Sequence, residues 1–189
     1  MTETRLNPDA DAIAAIARRI DRPVVLVGLM GVGKSTVGRR LAGLLDRRFV
    51  DADEEIERAA ARSVAEIFAA HGEAYFRDGE RRVIARVMHE GCGVLATGGG
   101  AFVNEETRGL ILEKGIAVWL DCDVDLLVER TARRDNRPLL KQGDPRAVLT
   151  RLKSERDSAY AEAPIHVRTD HAPHLTTALR ILEAIDAWL

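Results

Sequence analysis

The sequence feature that most constrains the fold is a glycine-rich turn that joins an apolar run to a helical pattern. Residues 24–36 read Val-Val-Leu-Val-Gly-Leu-Met-Gly-Val-Gly-Lys-Ser-Thr. Within this stretch, Gly28, Gly33, Lys34 and Ser35 fit the P-loop pattern of a glycine, four residues, and then Gly-Lys-Ser/Thr. A strand is predicted before the turn and a helix after it, which is the context that a P-loop requires. The chain is therefore predicted to contain a phosphate-binding loop.

The residue types of this loop suit a polyphosphate. Glycines lack the Cβ atoms that would hold the backbone away from phosphate oxygens, so successive N–H groups can point inward at the start of a helix. Lys34 supplies a compact positive charge for the β- and γ-phosphates, and the hydroxyl of Ser35 is a hard oxygen ligand for Mg²⁺. A glycine-rich turn that binds nothing is the alternative, and the flanking strand and helix disfavour it. The residues expected to bind the nucleotide are Gly31, Val32, Gly33, Lys34, Ser35 and Thr36.

Apolar runs alternate with helical patterns along the rest of the chain. Strands are predicted at residues 24–27, 49–53, 93–97, 116–120 and 165–167. Helices are predicted at 34–45, 54–61, 64–71, 73–89, 105–114, 123–134, 145–161 and 175–189, after an N-terminal helix capped by Asn7. This alternation predicts a parallel sheet with helices on both faces and right-handed crossovers, a three-layer α/β/α fold. In such a sheet, ligands bind at the carboxyl ends of the strands.

Length and hydrophobic content set the expected domain organisation. A chain of 189 residues, of which 46% are hydrophobic, can fill one core under a sheet that is covered on both faces. We therefore expect a single domain over residues 1–189, with an accessory helix within residues 1–21. The polar, breaker-rich stretch at 133–144 is a candidate lid.

Charge and cysteine content limit which binding partners and which cellular compartment we expect. The chain has 28 basic and 30 acidic residues, and a net charge of −2 argues against bulk attraction to nucleic acid or an anionic membrane. The N-terminus has no signal-peptide core, and no later apolar run approaches membrane-spanning length. Cys92 and Cys122 lack metal-ligand spacing and suit a compartment that keeps thiols reduced. We expect a cytoplasmic protein without nucleic-acid or membrane partners.

Two predicted strands end in acidic or glycine-rich segments. Asp51 and Asp53 end the second strand, and Gly98-Gly99-Gly100 follows the third. Three adjacent glycines are unfavourable in conformational entropy, so they indicate a place where the backbone approaches something closely. Asp53 could also be the N-cap of the helix that follows, and this role is compatible with a place in the site.

These segments together resemble the shikimate kinases, a P-loop family related to the nucleoside monophosphate kinases. The resemblance covers about residues 22–189. It rests, in chain order, on the P-loop, Asp51-Ala-Asp53, Phe76-Arg77, Gly98-Gly99-Gly100, and Arg137-Pro-Leu-Leu140 with Arg156 nineteen residues after Arg137. The resemblance implies a five-stranded parallel sheet of order 2-3-1-4-5, with ATP and Mg²⁺ as phosphoryl donor. It also implies the 3-hydroxyl of shikimate as acceptor, in chorismate and aromatic amino-acid biosynthesis.

The resemblance further implies an acceptor site. Arg77 and Arg156 match positions that bind the substrate carboxylate, which a planar guanidinium can hold bidentately. The alternative for Arg77 is a helix arginine whose stem covers the neighbouring Phe76. Asp53 matches the acid that binds the substrate hydroxyls and can accept the proton of the attacking one. Gly98, Gly99 and Gly100 are expected to border the substrate, with backbone N–H groups offered by the last two, so a side chain there would intrude.

Catalysis is expected to depend on Lys34, Asp53 and Arg137. A loose phosphoryl-transfer transition state needs positioning and charge stabilisation more than covalent help, so cations and metal should dominate the site. By resemblance, Arg137 enters with the lid when both substrates are bound and helps to exclude water. The alternative for Arg137 is a solvated loop arginine. The implied metal ligands are Ser35 directly and Asp51 through water.

Two further assignments concern the nucleotide. Arg130 matches a position that stacks on the adenine, Arg137 also belongs to the ATP site, and residues 170–173 loosely match the loop on the other side of the base. The run from Val118 to Asp121 looks like a Walker B strand. Because the family places that strand before the triple glycine, Asp121 is interpreted as capping or solvating a strand end.

The resemblance thus implies a monomeric ATP:shikimate 3-phosphotransferase. One alternative is a related small-molecule kinase, such as a gluconate kinase, that keeps the P-loop and lid. Another is a non-catalytic nucleotide-binding switch. The set Asp53, Arg77 and Arg156 argues against a switch, since a switch does not need a pocket for a carboxylate.

Overall fold

The computed structural model describes residues 9–132 and 143–189. Its strands are β1 (Val24–Val27), β2 (Phe49–Asp51), β3 (Val94–Ala96), β4 (Ile116–Asp121) and β5 (Ile165–Arg168). Its helices are α1 (Ala10–Arg19), α2 (Lys34–Leu45), α3 (Ala52–Ala60), α4 (Val64–His89), α5 (Glu105–Lys114), α6 (Val124–Ala132), α7 (Pro145–Tyr160) and α8 (His174–Trp188). A short 3₁₀ helix, Ala101–Val103, follows β3. Most of the predicted lid, residues 133–142, lies outside the described residues.

The strands form one five-stranded sheet of order β2-β3-β1-β4-β5. All the neighbouring pairs are parallel, and Val24 at the start of β1 is in register with Val94 of β3 and Ile116 of β4. This is the order that the resemblance implies, and the three-layer α/β prediction is confirmed. Every residue of β1 is buried, as expected for a central strand covered on both faces, whereas residues of the edge strand β5 alternate between buried and exposed.

The boundary between β2 and α3 differs from the prediction. The strand ends at Asp51 and the helix begins at Ala52, because the Asp51 side chain accepts a hydrogen bond from the backbone N–H of Asp53. Asp51, not Asp53, is therefore the N-cap, and Asp53 lies in the first helical turn. A fully buried Ala52 adds packing that favours the earlier start. The alternative interpretation of Asp53 as a cap is wrong.

Other helix ends follow local capping chemistry. Ser63 and Glu66 form the predicted capping box at the start of α4, and the helix is broken at Gly72, whose φ of 79° is left-handed. Asn104 and Asp144 cap α5 and α7 as predicted. The N-terminal helix begins at Ala10 behind an Asp9 cap, while the predicted cap Asn7 lies outside the described residues.

The N-terminal helix packs onto the same core as the sheet. Ile16 and Ile20 join the main cluster of buried apolar residues. Arg47, just after α2, donates hydrogen bonds to the carbonyl oxygens of Ala17 at 2.8 Å and Ile20 at 2.7 Å. In the described part of the chain, no helix combines the length and the apolar character needed to cross a membrane.

Candidate active site

The P-loop glycines adopt backbone conformations that other residues rarely reach. Gly28, Gly31 and Gly33 have φ angles of 131°, 84° and 104°. Space is also restricted: a Cβ atom at Gly28 would overlap the carbonyl oxygen of Leu120 on β4. Both conformation and packing therefore require glycine where the loop leaves the sheet.

The loop runs directly into α2, whose first turn carries no side-chain cap. The N-cap position is occupied by Gly33, which has no side chain to cap the helix. The first N–H groups of α2 are therefore available to an anion. The Nζ atom of Lys34 donates hydrogen bonds to the carbonyl oxygens of Gly28 at 2.6 Å and Leu29 at 2.9 Å. The buried lysine thus lies folded back over the loop, with its ammonium against the loop carbonyl groups.

A serine and an aspartate meet beside this loop. The hydroxyl of Ser35 donates a hydrogen bond of 2.5 Å to Oδ2 of Asp51, whose other oxygen caps α3. A hydroxyl that donates its proton to a carboxylate keeps its lone pairs for a metal ion. The Ser35 hydroxyl and the Asp51 carboxylate therefore offer two hard oxygen ligands in the same region. This donor set fits Mg²⁺, which prefers oxygen ligands and retains most of its waters.

Asp53 lies in the first turn of α3, close to both Lys34 of the P-loop and Gly98 after β3. Burial raises the pKa of its carboxyl group, and the nearby charge of Asp51 raises it further, while Lys34 opposes this shift. A carboxylate with a raised pKa is a better proton acceptor than an exposed one. The structure therefore places Asp53 where it can act on a group held between α3 and β3.

The triple-glycine bend, Gly98–Gly100, is crowded on every side. A Cβ atom at Gly98 would lie 2.9 Å from Oδ1 of Asp53, and one at Gly100 would overlap the guanidinium of Arg77. At Gly99, a Cβ atom would lie 3.3 Å from the backbone nitrogen of Met30 in the P-loop. None of the three has a left-handed φ, so space rather than conformation requires glycine here. A side chain at any of the three would displace neighbouring protein atoms, and its effect on a bound substrate stays a prediction.

Arg77 is held in place by carboxylates of its own helix. Its guanidinium forms ion pairs of 2.6 Å with Glu80 and 3.3 Å with Glu73, and it lies 5.2 Å from the ring centroid of Phe76. The side chain is 20% exposed. The guanidinium lies against Gly100, so Arg77 does more than cover an aromatic ring with its stem.

Glu80 is a residue that the sequence analysis did not identify. It is fully buried, and its Oε1 atom has no hydrogen-bond partner among the described residues. Burial raises the pKa of its carboxyl group, against the opposing effect of Arg77. The signal in the sequence was its spacing, since Glu80 lies three residues after Arg77 on one helix and such pairs meet on the same face.

Arg156 and Tyr160 approach the bend from α7. Nη1 of Arg156 donates a hydrogen bond of 3.1 Å to the carbonyl oxygen of Gly99, and the hydroxyl of Tyr160 donates to the same atom. The structure thus brings Arg77 and Arg156 to the same bend, Arg77 at Gly100 and Arg156 at Gly99, and their predicted role in binding a carboxylate stays a prediction. Tyr160 was missed; its position four residues after Arg156 on a helix was the only available signal.

Asp121 helps to attach α7 to the sheet. Its Oδ1 accepts a hydrogen bond of 2.5 Å from Nζ of Lys153, which also forms a 3.0 Å ion pair with Asp157. The side chain of Asp121 is 18% exposed, so it is a partly buried ion-pair partner rather than a solvated strand end.

Arg130 connects the P-loop to the segment before α8. It donates hydrogen bonds to the carbonyl oxygens of Val32 at 3.1 Å and Asp170 at 2.6 Å. This brings together the residues expected on both sides of the adenine. His174, at the start of α8, also lies beside Gly33, and burial together with Arg130 and Arg40 lowers the pKa of its imidazole. Arg137, the expected lid cation, lies outside the described residues.

Comparison with known proteins gives a consistent result over almost the whole chain. A family model described as shikimate kinase matches residues 30–186. The shikimate kinase of Novosphingobium aromaticivorans is 66% identical over 94% of this chain and 94% of its own length, and that of Caulobacter vibrioides is 55% identical over 98% of both. The solved structure of shikimate kinase from Acinetobacter baumannii in complex with shikimate has a TM-score of 0.86 and 38% identity, covering 95% of this chain and 98% of that chain.

Proposed function

The chain belongs to the shikimate kinase family, and we propose that it transfers the γ-phosphoryl group of ATP to the 3-hydroxyl of shikimate, giving shikimate 3-phosphate and ADP. One observation carries the proposal: a P-loop and a guanidinium-lined pocket share a wall, since a Cβ at Gly99 would contact both Met30 and Arg156. A donor phosphate and an acidic acceptor bound on the two sides of this wall would be neighbours.

The donor side is built from backbone N–H groups and Lys34. The polyphosphate binds at the uncapped start of α2, where residues 31–36 offer N–H groups and the Lys34 charge reaches the β- and γ-phosphates. The carbonyl oxygens of Gly28 and Leu29 that accept from Lys34 hold the ammonium against the loop. Arg130 adds a planar cation beside Val32 on which the adenine stacks.

A magnesium ion fits the oxygen pair beside the loop. Ser35 would bind it directly and Asp51 through water, since the two side chains are already joined by a hydrogen bond. A magnesium ion held there would supply positive charge that neutralises the negative charge developing during transfer. Removal of free divalent cation with a chelator should abolish turnover.

The acceptor side selects a carboxylate. Arg77 and Arg156 flank the triple-glycine bend, and together they hold the carboxylate of shikimate with charge-assisted hydrogen bonds. The N–H groups of Gly99 and Gly100 add neutral donors at the same place. Asp53, which lies against Gly98, binds the hydroxyl groups of the substrate, which orients the ring toward the P-loop.

Asp53 also receives the proton of the attacking hydroxyl. Its raised pKa brings it closer to the range in which a carboxylate can accept a proton at neutral pH. In a loose transition state the nucleophile loses its proton late, so Asp53 orients the hydroxyl first and takes the proton as the new bond forms. Arg137 closes over the site with the lid, where it stabilises charge on the transferred group and excludes water.

A coupled assay of ADP release tests the function directly. With ATP and Mg²⁺, shikimate should give turnover and gluconate should not. Turnover with gluconate alone would favour the related sugar-acid kinase, and nucleotide binding without turnover on either acceptor would favour a switch. The carboxylate pocket formed by Arg77 and Arg156 favours shikimate over a switch that phosphorylates no acceptor.

The compartment and assembly state complete the proposal. We propose a cytoplasmic protein, because Cys92 and Cys122 are both free, buried thiols, as a reducing compartment allows. We also propose that the protein is a monomer. Light scattering on a sizing column should give a mass near 20.8 kDa. A mass twice as large would contradict the monomer.

A further inference from the structure

The carbonyl oxygen of Gly99 is held by two side chains of α7. It accepts a hydrogen bond of 3.1 Å from Nη1 of Arg156 and a second one from the hydroxyl of Tyr160. Arg156 already has a role in the proposed function as a ligand of the substrate carboxylate. Tyr160 has no such role, so its contact with the bend needs a separate explanation.

Packing alone does not account for the Tyr160 hydroxyl. The residue is 1% exposed, and its ring stacks against that of Trp119 with 6.0 Å between centroids. A phenylalanine would fill the same space, whereas a buried phenol must find a hydrogen-bond partner. Burial raises the pKa of Tyr160 to about 12, so the phenol keeps its proton at physiological pH and remains a donor.

The geometry of the peptide unit connects this donor to the substrate pocket. The peptide bond between Gly99 and Gly100 is planar and trans, so the carbonyl of Gly99 and the N–H of Gly100 point in opposite directions. Two donors that fix the carbonyl therefore also fix the direction of the N–H. In the described part of the chain, the Gly100 N–H donates to no backbone carbonyl. Glycines have the largest conformational freedom, so a bend made of three of them depends on outside contacts for its orientation.

We propose that Tyr160 is a positioning residue of the acceptor site, whose hydroxyl holds the Gly99–Gly100 peptide so that the N–H of Gly100 points at the carboxylate of the acceptor. This inference rests on the proposed function and deepens it. Tyr160 acts through the peptide and does not touch the substrate. Arg156 shares the task, but its guanidinium is also needed by the carboxylate, so the phenol is the dedicated anchor of the bend.

The substitution Tyr160→Phe tests the proposal with little change in shape. We expect the KM for shikimate to rise about fivefold, the effect of one neutral hydrogen bond. The KM for ATP and kcat should stay within about twofold, because binding of the acceptor is weakened without change to the transferred group. Tyr75→Phe is the matched control, since Tyr75 is the other tyrosine and is 56% exposed; it should leave all three values unchanged.

A second measurement follows the bend itself and does not depend on turnover. In protein labelled with ¹⁵N-glycine, the amide resonance of Gly100 should move in the Tyr160→Phe variant without any ligand, and should stay in place in Tyr75→Phe. Selective labelling leaves 15 glycine signals to assign, which is a tractable number.

Each outcome bears on one of the two proposals. If wild-type protein does not phosphorylate shikimate, the proposed function fails, and the Gly100 resonance still decides whether Tyr160 orients the bend. If wild-type turnover is normal, an unchanged KM for shikimate in Tyr160→Phe overturns the positioning role alone. A lower melting temperature with an unchanged KM assigns the hydroxyl to stability and also overturns it.

Discussion

The guanidinium of Arg77 is oriented by its own helix. Glu73 and Glu80 lie four residues before and three residues after it, and both carboxylates form ion pairs with it. Glu80 is fully buried, so this pair is little screened by solvent and fixes the fork of the arginine strongly. An arginine that is held in this way loses less side-chain entropy when it binds a carboxylate.

Replacement of Arg77 by lysine keeps the charge but removes the planar fork. We expect the KM for shikimate to rise and kcat/KM to fall by about tenfold or more, because an ammonium cannot pair bidentately with a carboxylate. Initial-rate kinetics with shikimate varied at saturating ATP give both values. Arg151→Lys is a matched control on an exposed surface pair with Glu155. A change in kcat/KM of less than twofold for Arg77→Lys would remove this residue from the carboxylate site.

Replacement of Asp53 by asparagine keeps the shape and removes the proton acceptor. Turnover should fall by about a hundredfold or more, which is the usual contribution of a general base. Nucleotide binding should persist, because the cap of α3 and the predicted metal contact belong to Asp51, which the substitution leaves in place. Calorimetric titration with ADP and Mg²⁺ checks binding beside the rate assay. Substantial residual turnover would show that Asp53 only orients the acceptor.

At the scale of elements, the triple-glycine bend is where the two halves of the site meet. β3 brings the bend to the carboxyl edge of the sheet, and the 3₁₀ turn at Ala101–Val103 leads the chain away from it. α4 reaches it with Arg77, and α7 reaches it with Arg156 and Tyr160. A short loop without side chains thus allows two helices to place cations around one small volume.

A methyl group at Gly100 should disturb this arrangement. A Cβ atom there would overlap the Arg77 guanidinium, so in Gly100→Ala the arginine must move away from the bend. We expect the KM for shikimate to rise about tenfold, with a KM for ATP near the wild-type value.

Gly109→Ala in α5 is the control for this substitution. A Cβ atom at Gly109 meets no atom within 4 Å, and alanine is favoured over glycine in a helix interior, so this variant should be more stable by about 0.5–1 kcal/mol and fully active. Thermal melts and initial rates of the two alanine variants give the comparison. Unchanged kinetics in Gly100→Ala would mean that the bend tolerates a side chain and does not border the acceptor.

Sequence reasoning found the elements that local chemistry determines. The P-loop, the capping box at Ser63 and the strand order followed from glycine placement, capping residues and the resemblance. It misplaced the start of α3, because two aspartates two residues apart can each cap a helix and only packing of Ala52 decides between them. Glu80 and Tyr160 were not identified from the sequence. The importance of Glu80 comes from its burial, and that of Tyr160 comes from a hydrogen bond to Gly99, which is distant in the sequence.

At the scale of the whole molecule, the parallel sheet collects the site from distant parts of the chain. Lys34 follows β1, Asp53 follows β2 and Gly99 follows β3, while Arg156 lies on α7. These residues meet because the carboxyl ends of β3 and β1 lie side by side in the sheet. The sheet and its core form a rigid base for donor and acceptor sites. Exclusion of water must then come from a segment outside this base, and the predicted lid at 133–144 is the candidate.

The final prediction concerns this lid. In Arg137→Ala, kcat should fall by about a hundredfold or more, because an arginine that meets the γ-phosphoryl group only in the closed state stabilises the transition state rather than the bound substrates. The KM values for ATP and shikimate should change much less. Arg151→Ala serves as the control, since Arg151 is 66% exposed on α7 and pairs only loosely with Glu155 at 3.8 Å. Loss of water exclusion should also raise ATP hydrolysis relative to transfer, measured as ADP formed per shikimate 3-phosphate. An unaltered kcat together with an unaltered ratio of the two products would show that Arg137 takes no part in closure or in catalysis.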